Sequence, residues 1–433
     1  MSAADVSRPS SYRWLIFVVL SCAYLLVYFH RTCPAVVAAD LMRDLNAGAT
    51  SLGLLGSAYF YPYALMQLPA GLLSDTWGPR KTITLFFSLA GVGAIWLGLA
   101  GSIAPAIAAR TLVGLGVAMV FVPTIKVMTN WFTRGEFARM MGILMALGGV
   151  GAYTAAQPLA WLSLILGWRG SFILIGAATL ILAGLIWVVV RNRPQDKGLP
   201  PVPDTIGDPP GSDGLSLGQG IKMVLANPRF WAVAVWFFIT PGVFFAFGGL
   251  WGGPYLMQVY GLSKTQAGGV LSMLAVGMIV GSPLLTWISD KILVSRKHTM
   301  IITGAGMSLL LAVLYLAPAS FSLPSLYLWF FLFSVCSSAI VVIGFTTTKE
   351  LFPVAIAGTS TGLVNLFPFL GGALLQPITG WLLQIQGGPR GPYSPAMYQQ
   401  VFLFYLGLAL VALVCACLAK DTLPGRKAAR SAA

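Results

Sequence analysis

Charge is scarce in this sequence. Asp, Glu, Lys and Arg make up 9% of 433 residues, where soluble globular domains carry about 25%. Histidine occurs only as His30 and His298, and the five cysteines (Cys22, Cys33, Cys336, Cys415, Cys417) all lie inside apolar stretches. They have neither metal-ligand spacing nor the arrangement of a disulfide framework, and buried cysteine behaves as a small hydrophobe. No metal site and no cofactor are expected. No glycine-rich loop ends in Gly-Lys-Ser/Thr, which excludes a phosphate-binding ATPase loop within the chain. Gly358-Thr-Ser360-Thr-Gly362 fits the letters of a nucleophile elbow, but that motif needs a strand-to-helix turn and a nearby base. Here it opens an apolar run. The chain does not read as an enzyme.

Apolar length is what the sequence has instead. Hydrophobic residues make up 57% of the 433, roughly 247 residues. A bilayer-spanning helix uses about 20 of them, so twelve spans would use about 240. The runs are continuous rather than alternating, which excludes an outer-membrane barrel. They fall at about 14–38, 52–73, 82–101, 105–128, 138–161, 166–190, 229–250, 265–288, 299–318, 324–347, 358–383 and 399–419. The fold class is an all-α membrane protein with twelve transmembrane helices.

The 26 Lys and Arg outnumber the 12 Asp and Glu, an excess that in a soluble protein would suggest nucleic acid. With both termini in the cytoplasm, all but Arg31, Arg43, Arg110, Arg169, Lys264 and Arg390 fall in the termini, inward loops or inner helix ends. The positive-inside rule then accounts for the basic balance, and no nucleic-acid partner is expected. Short loops and the lack of glycosylation sequons suit a bacterial inner membrane.

Residues 191–228 form the one long polar stretch, rich in Pro, Gly and Asp, as a solvated linker is. It separates 1–190, an N-terminal six-helix bundle, from 229–433, a C-terminal six-helix bundle with a cytoplasmic tail. The halves echo each other. Phe132, Gly142, Gly151 and Gln157-Pro158 have counterparts in Phe352, Gly362, Gly371 and Gln376-Pro377, at an offset of about 220. Ser74-Asp75 before Arg80-Lys81 is matched by Ser289-Asp290 before Arg296-Lys297. Two six-helix repeats point to a transporter whose site lies near mid-membrane between them.

Gly71-Leu-Leu-Ser-Asp75-Thr-Trp-Gly78-Pro-Arg80-Lys81 resembles the signature loop of the major facilitator superfamily. Gly71 lets helices approach, Asp75 ends a helix where it can pair with a base, Gly78 turns the chain, and Arg80 and Lys81 hold the loop inside. Arg110-Thr-Leu-Val-Gly114-Leu-Gly116-Val-Ala118 is similar to the superfamily's second motif, in which Arg110 would hold its helix against neighbours. The fifth-helix antiporter motif is degenerate (Gly148-Gly149-Val-Gly151-Ala-Tyr153). The resemblance implies two pseudo-symmetric bundles rocking about a central site. It further implies that Asp75 and Asp290 tie the cytoplasmic ends together in the outward-open state, with Arg134 or Arg139 as partners for Asp75. More narrowly, Tyr28-Phe29-His30-Arg31 and Lys126…Asn130-Trp131-Phe132 with Glu136 resemble the organophosphate antiporters and the anion–cation symporters. In many of these a first-helix arginine binds the substrate's anionic group, and proton-coupled members place an acid before it. Here that place is taken by His30.

Arg31 lies about 25 Å along the first run, at 1.5 Å per residue. A charge within a span usually faces a cavity, and a guanidinium fork suits carboxylate or phosphate. The alternative is an arginine that reaches the outer interface or pairs with Asp40. His30 could carry a coupling proton, or simply be a satisfied hydrogen-bonding group. Lys126 could be a second anion contact or an inner gate, or a snorkelling lysine. Lys349-Glu350 reads as an inner-gate pair. Tyr28, Tyr59, Tyr63, Gln67, Tyr153, Gln157, Trp236, Asn365 and Gln376 lie at plausible cavity depth, although most residues of this kind are belt aromatics or interhelical hydrogen bonds.

No acid stands in the middle of any run. Asp40 and Asp44 lie at the outer end of the first, and Asp75, Asp290, Glu136 and Glu350 at inner ends. Intramembrane carboxylates usually mark proton relays and cation sites, so their absence favours an anionic or neutral substrate. The expected function is secondary transport of a small organic anion (carboxylate, sugar acid or phosphate ester), with a proton or another coupling ion as a possible partner and a monomer as the family default. An exporter of multiple drugs or amphipathic compounds is the alternative. A transporter-like sensor is a third reading.

Overall fold

The computed structural model describes residues 11–202, 204–205, 217–353, 356–389 and 391–423; Arg390 and part of the 191–228 linker lie outside them. Among the described residues, eleven helices are long and apolar enough to cross a membrane. A twelfth crossing is made of two shorter pieces, Ala49–Leu65 and Gln67–Thr76.

In chain order, α1 is Tyr12–Thr32 continued by Pro34–Asp44, and α2 is the two-piece helix just given. Next come α3, Pro79–Leu99, and α4, Ile103–Ala118 with Phe121–Trp131. Arg134–Thr154 starts α5, which runs on through Gln157 until the chain reverses at Gly167. The remainder of Gln157–Val189 after that turn is α6. Gly167 makes the reversal at φ 67°, a left-handed value that costs glycine little. The linker holds a 3-10 turn, Pro194–Lys197, and a short helix, Leu217–Leu225.

The second half repeats the plan. Pro228–Val243, a π-helical turn Phe244–Trp251 and Gly252–Val259 form α7. Lys264–Trp287 with Ile288–Leu293 is α8, and Arg296–Leu316 is α9. Leu323–Ser334, Val335–Ala339 and Val341–Glu350 make α10. Ala357–Val364 with Leu366–Gly387 is α11, and Pro395–Leu418 is α12.

Proline explains several of the breaks. It has no N–H for the carbonyl four residues back, so Pro69 leaves Leu65 unpaired beside the break at Met66, and Pro368 does the same to Val364 beside Asn365. Pro123 and Pro158 act likewise after Met119 and Thr154. Large apolar side chains such as Leu65, Leu72, Trp161, Ile181, Leu316 and Leu418 stand exposed around the outside. That surface suits a bilayer rather than water.

The halves meet along α1–α7, α2–α11 and α5–α8. On the face away from the termini, hereafter the distal face, they press together closely. The Ala49 N–H donates to the Pro389 carbonyl at 2.9 Å, and the Thr50 N–H to Gln384 Oε1 at 3.1 Å. Lys264 on α8 forms an ion pair with Asp40 on α1. Gly253 on α7 sits so near α1 that a Cβ there would lie 1.8 Å from the Ala35 carbonyl oxygen. On the terminal face, the pairs Lys126–Asp75, Arg13–Glu136, Arg296–Asp290 and Arg296–Glu350 each stay within one half.

Candidate anion site

Arg31 comes near the end of the first piece of α1, just before the break that Pro34 imposes. It is 5% exposed and its Nε has no hydrogen-bond partner among the described residues. Four rings surround its Cζ: Tyr28 at 4.5 Å, Tyr63 at 4.9 Å, Phe369 at 5.1 Å and Phe245 at 5.9 Å. The tyrosines belong to α1 and α2, the phenylalanines to α7 and α11. The guanidinium therefore sits on the seam between the halves. It does not pair with Asp40, whose carboxylate is taken by Lys264 and Arg43.

The cage has a second layer. Tyr59 stacks on Tyr63 at 5.7 Å, and Phe60 packs on Phe245 at 5.1 Å. Tyr24 contacts Tyr28 at 5.3 Å. Beyond Tyr59 lies Arg110, its Cζ 4.9 Å from that ring and its Nη1 3.8 Å from Cys33 Sγ. Arg110 is 1% exposed, and its Nε and Nη2 have no partner among the described residues. Gly114, one turn on, lets α4 meet the Tyr59 backbone: a Cβ there would lie 2.2 Å from the Tyr59 carbonyl oxygen. Two buried cations thus flank the Tyr59–Tyr63 stack.

Next to the cage, on α2, Gln67 Nε2 donates to the Tyr63 carbonyl at 3.2 Å. Its Oε1 accepts from Asn365 Nδ2 of α11 at 2.9 Å, a direct bond between the halves at the breaks of both helices.

Other candidate residues lie elsewhere. Gln376 is buried, with Nε2 donating to the Phe245 carbonyl at 2.9 Å and its own carbonyl accepting from Trp251 Nε1 at 3.0 Å. It braces the π-helical turn that carries Phe245. Trp236 is fully buried within the second half, its ring 5.2 Å from Phe237 and against Gly344. Tyr153 is 38% exposed, and Gln157 lies against Gly268 and Gly269 of α8. His30 is completely buried on the far side of α1, with Nε2 3.1 Å from Thr179 Oγ1 of α6. A step of one residue turns a helical side chain by about 100°, which separates it from Arg31.

The charged loops differ from the sequence expectation in two pairings. Asp75 pairs with Lys126, not with Arg134 or Arg139. Arg134 reaches Asp204 of the linker at 3.6 Å, and Arg139 is exposed. Lys126 lies eight residues past the end of the first piece of α4, at the depth where α2 ends, and so reaches Asp75 directly. Glu350 faces Arg296 at 3.6 Å and Thr422 rather than its neighbour Lys349, which is exposed. Arg296 also holds Asp290. Consecutive helical residues point apart, so the Lys349–Glu350 pair was geometrically unfavourable from the start. Gly71 has nothing within 4 Å of where a Cβ would be, so close helix approach is not its role in this state. Gly78 turns at φ 85° against Asn192, whose Oδ1 accepts from the Arg80 N–H at 2.9 Å. Arg80 lies over the Trp187 ring at 4.2 Å, and Lys81 is exposed.

Phe245 and Phe369 are the site residues that sequence reading missed. Each stands in a phenylalanine-rich run with nothing local to distinguish it. The Asp40–Lys264 pair was missed for the same reason, since it joins residues of different halves.

Known proteins place this geometry in context. The D-galactonate transporter of Escherichia coli O6:H1 is 24% identical, over 91% of this chain and 93% of its own length. The membrane sensor protein UhpC of Salmonella typhimurium is 25% identical, over 87% and 86%. The hexuronate transporter of Escherichia coli K12 is 25% identical, over 87% and 88%. Among solved structures, a bacterial homologue of the human lysosomal transporter Spinster, inward-facing and unoccupied, matches with TM-score 0.71 at 19% identity, covering 94% of this chain and 96% of its own. The nucleoside transporter NupG matches with TM-score 0.71 at 14% identity, over 93% and 100%. These two likenesses concern the fold. The model of the Major Facilitator Superfamily matches residues 20–376 and again 252–433. The chain, a multi-span helical membrane protein, belongs to the Major Facilitator Superfamily.

Proposed function

We propose that this protein is a secondary transporter of organic anions, working by alternating access, with Arg31 as the anion-binding group. One observation carries the reading: a buried guanidinium on the seam between the halves, with no carboxylate beside it among the described residues. A buried charge left without a counter-ion is costly, and an arriving anion supplies one. The relatives support this, being named for galactonate, hexuronate and, in Cupriavidus necator, sulfoacetate.

The bundles 1–190 and 229–433 are the moving bodies, joined by 191–228. Tyr28 and Tyr63 shape the site from the first half, with Gln67 and Asn365 beside it. Asp75–Lys126 and Asp290–Arg296–Glu350 brace the terminal face of each half. That face is cytoplasmic by the basic bias, in a bacterial inner membrane, and the state described is closed outward. His30, buried against Thr179, is the coupling-proton candidate.

Thermal unfolding of the purified protein with organic anions, neutral sugars and amphipathic cations tests the class. A ligand bound only by the native state raises the melting temperature. Stabilisation by an anion in wild type and its loss in Arg31→Ala is the expected result. Equal stabilisation of both proteins by amphipathic cations would instead point to the exporter reading.

A further inference from the structure

Resting on the anion reading, the surroundings of Arg31 narrow the kind of anion. The polar groups within reach are few. They are chiefly tyrosine hydroxyls: those of Tyr59 and Tyr63 lie against the guanidinium, the first also donating to the Val27 carbonyl at 3.4 Å, while Tyr24 donates to Met145 Sδ at 3.6 Å. Gln67 and Asn365 are bonded to each other, and Gln376 gives its Nε2 to the Phe245 carbonyl, its buried Oε1 having no partner among the described residues. The other cations are unavailable as direct contacts. Lys126 is paired with Asp75, and Arg110 lies behind the Tyr59 ring, bonded to Cys33. Apart from those hydroxyls, what surrounds Arg31 is ring carbon, Tyr28, Tyr63, Phe245 and Phe369 with Phe60 behind Phe245, and Phe369 lies 4.3 Å from Tyr63 and 6.1 Å from Phe245.

We propose that the substrate is a monocarboxylate carried on a flat, apolar, aromatic body. A guanidinium can be stacked on its faces and still offer its N–H edge to a carboxylate, making two parallel hydrogen bonds. Rings over those faces keep water out, which strengthens the bonds at the edge. An aromatic body then finds edge-to-face and offset partners in Phe60, Phe245 and Phe369.

The same inventory disfavours phosphate esters and the sugar acids for which two of the relatives are named. A phosphate monoester brings up to two charges and three strong acceptors, against one reachable guanidinium. A sugar acid brings several hydroxyls, each of which loses water and needs a partner when buried. Beyond the Tyr59 and Tyr63 hydroxyls, already against Arg31, and the Gln376 Oε1, the cage offers ring carbon.

The test is a set of affinity titrations on the full-length protein, using phenylacetate, cyclohexylacetate, acetate, galactonate and glucose 6-phosphate. Phenylacetate is expected to bind at least ten-fold more tightly than the other four, and Phe369→Leu to weaken phenylacetate about ten-fold while changing acetate little. The ranking is read on the wild type, so it survives if an Arg31 variant fails to fold. Tighter binding of galactonate or glucose 6-phosphate, lost in Arg31→Lys, would overturn the aromatic assignment and leave the anion reading standing. If no anion binds in an Arg31-dependent way, both fall.

Discussion

Arg31 survives inside the protein because of what lies around it. Placing an arginine at mid-span costs about 2.5–3.5 kcal/mol on insertion scales. A desolvated cation–π contact returns about 2 kcal/mol, and four rings lie within 6 Å of Cζ. The rings can therefore hold the charge between transport events without a carboxylate. A charge-assisted hydrogen bond contributes about 1.5–3 kcal/mol, so Arg31→Ala should weaken the anion by roughly 100-fold or more, a tenfold step being about 1.4 kcal/mol. Arg31→Lys keeps the charge but loses the fork, and should still cost at least about tenfold. Binding titrations on the three proteins check the order.

Lys126 shows the opposite case. It is 22% exposed and Asp75 65% exposed, and an ion pair so open to solvent is worth up to about 1 kcal/mol. We expect Lys126→Ala to leave anion affinity within about twofold, and Asp75→Ala combined with Lys126→Ala to be no worse than either alone, since both remove one interaction. A strong loss of affinity in Lys126→Ala would return the lysine to the binding site.

At the scale of elements, the distal seal is built from close backbone approach and one ion pair. Gly253 admits Ala35 of α1, and Gly53 admits Pro377 of α11, where a Cβ would lie 2.5 Å from the proline Cα. Gly253→Val should therefore bias the protein toward a state open on the distal face, seen as increased labelling of a cysteine introduced beside Ala35. Asp40 and Lys264 have side chains only 12% and 17% exposed. Breaking a buried pair so that one charge stands alone costs about 3–5 kcal/mol; here Asp40 keeps the exposed Arg43, so a smaller shift, about tenfold in the balance of states, is expected. In Lys264→Ala, distances between spin labels on the distal ends of α1 and α8 should lengthen. An unchanged distance distribution would show that the seal does not depend on the pair.

Much of this element structure was legible beforehand. Apolar run length gave the crossings, and the Asp75 and Asp290 echoes gave the repeat. The sequence also marked Arg31, because a charge inside a run is conspicuous. It did not mark which faces of the helices meet. Gln376 and Trp236 look like cavity residues until α7 is seen to need Gln376 as a brace and α10 to cover Trp236. The partners of Asp75 and Glu350 were misread because helix ends bring together bases from several loops, and sequence distance does not choose among them.

For the whole molecule, the halves are sealed on the distal face beside a caged cation, and the alternating access proposed above would move that seal to the other face. A substrate shifts that equilibrium only by binding the two states differently. The most direct measurement is counterflow in proteoliposomes loaded with whichever organic anion stabilises the purified protein most, following entry of the labelled anion. Wild type is predicted to accumulate label transiently, and Arg31→Ala to accumulate none. Binding without any flux would make the protein a sensor, and equal flux in wild type and Arg31→Ala would contradict the role assigned to Arg31.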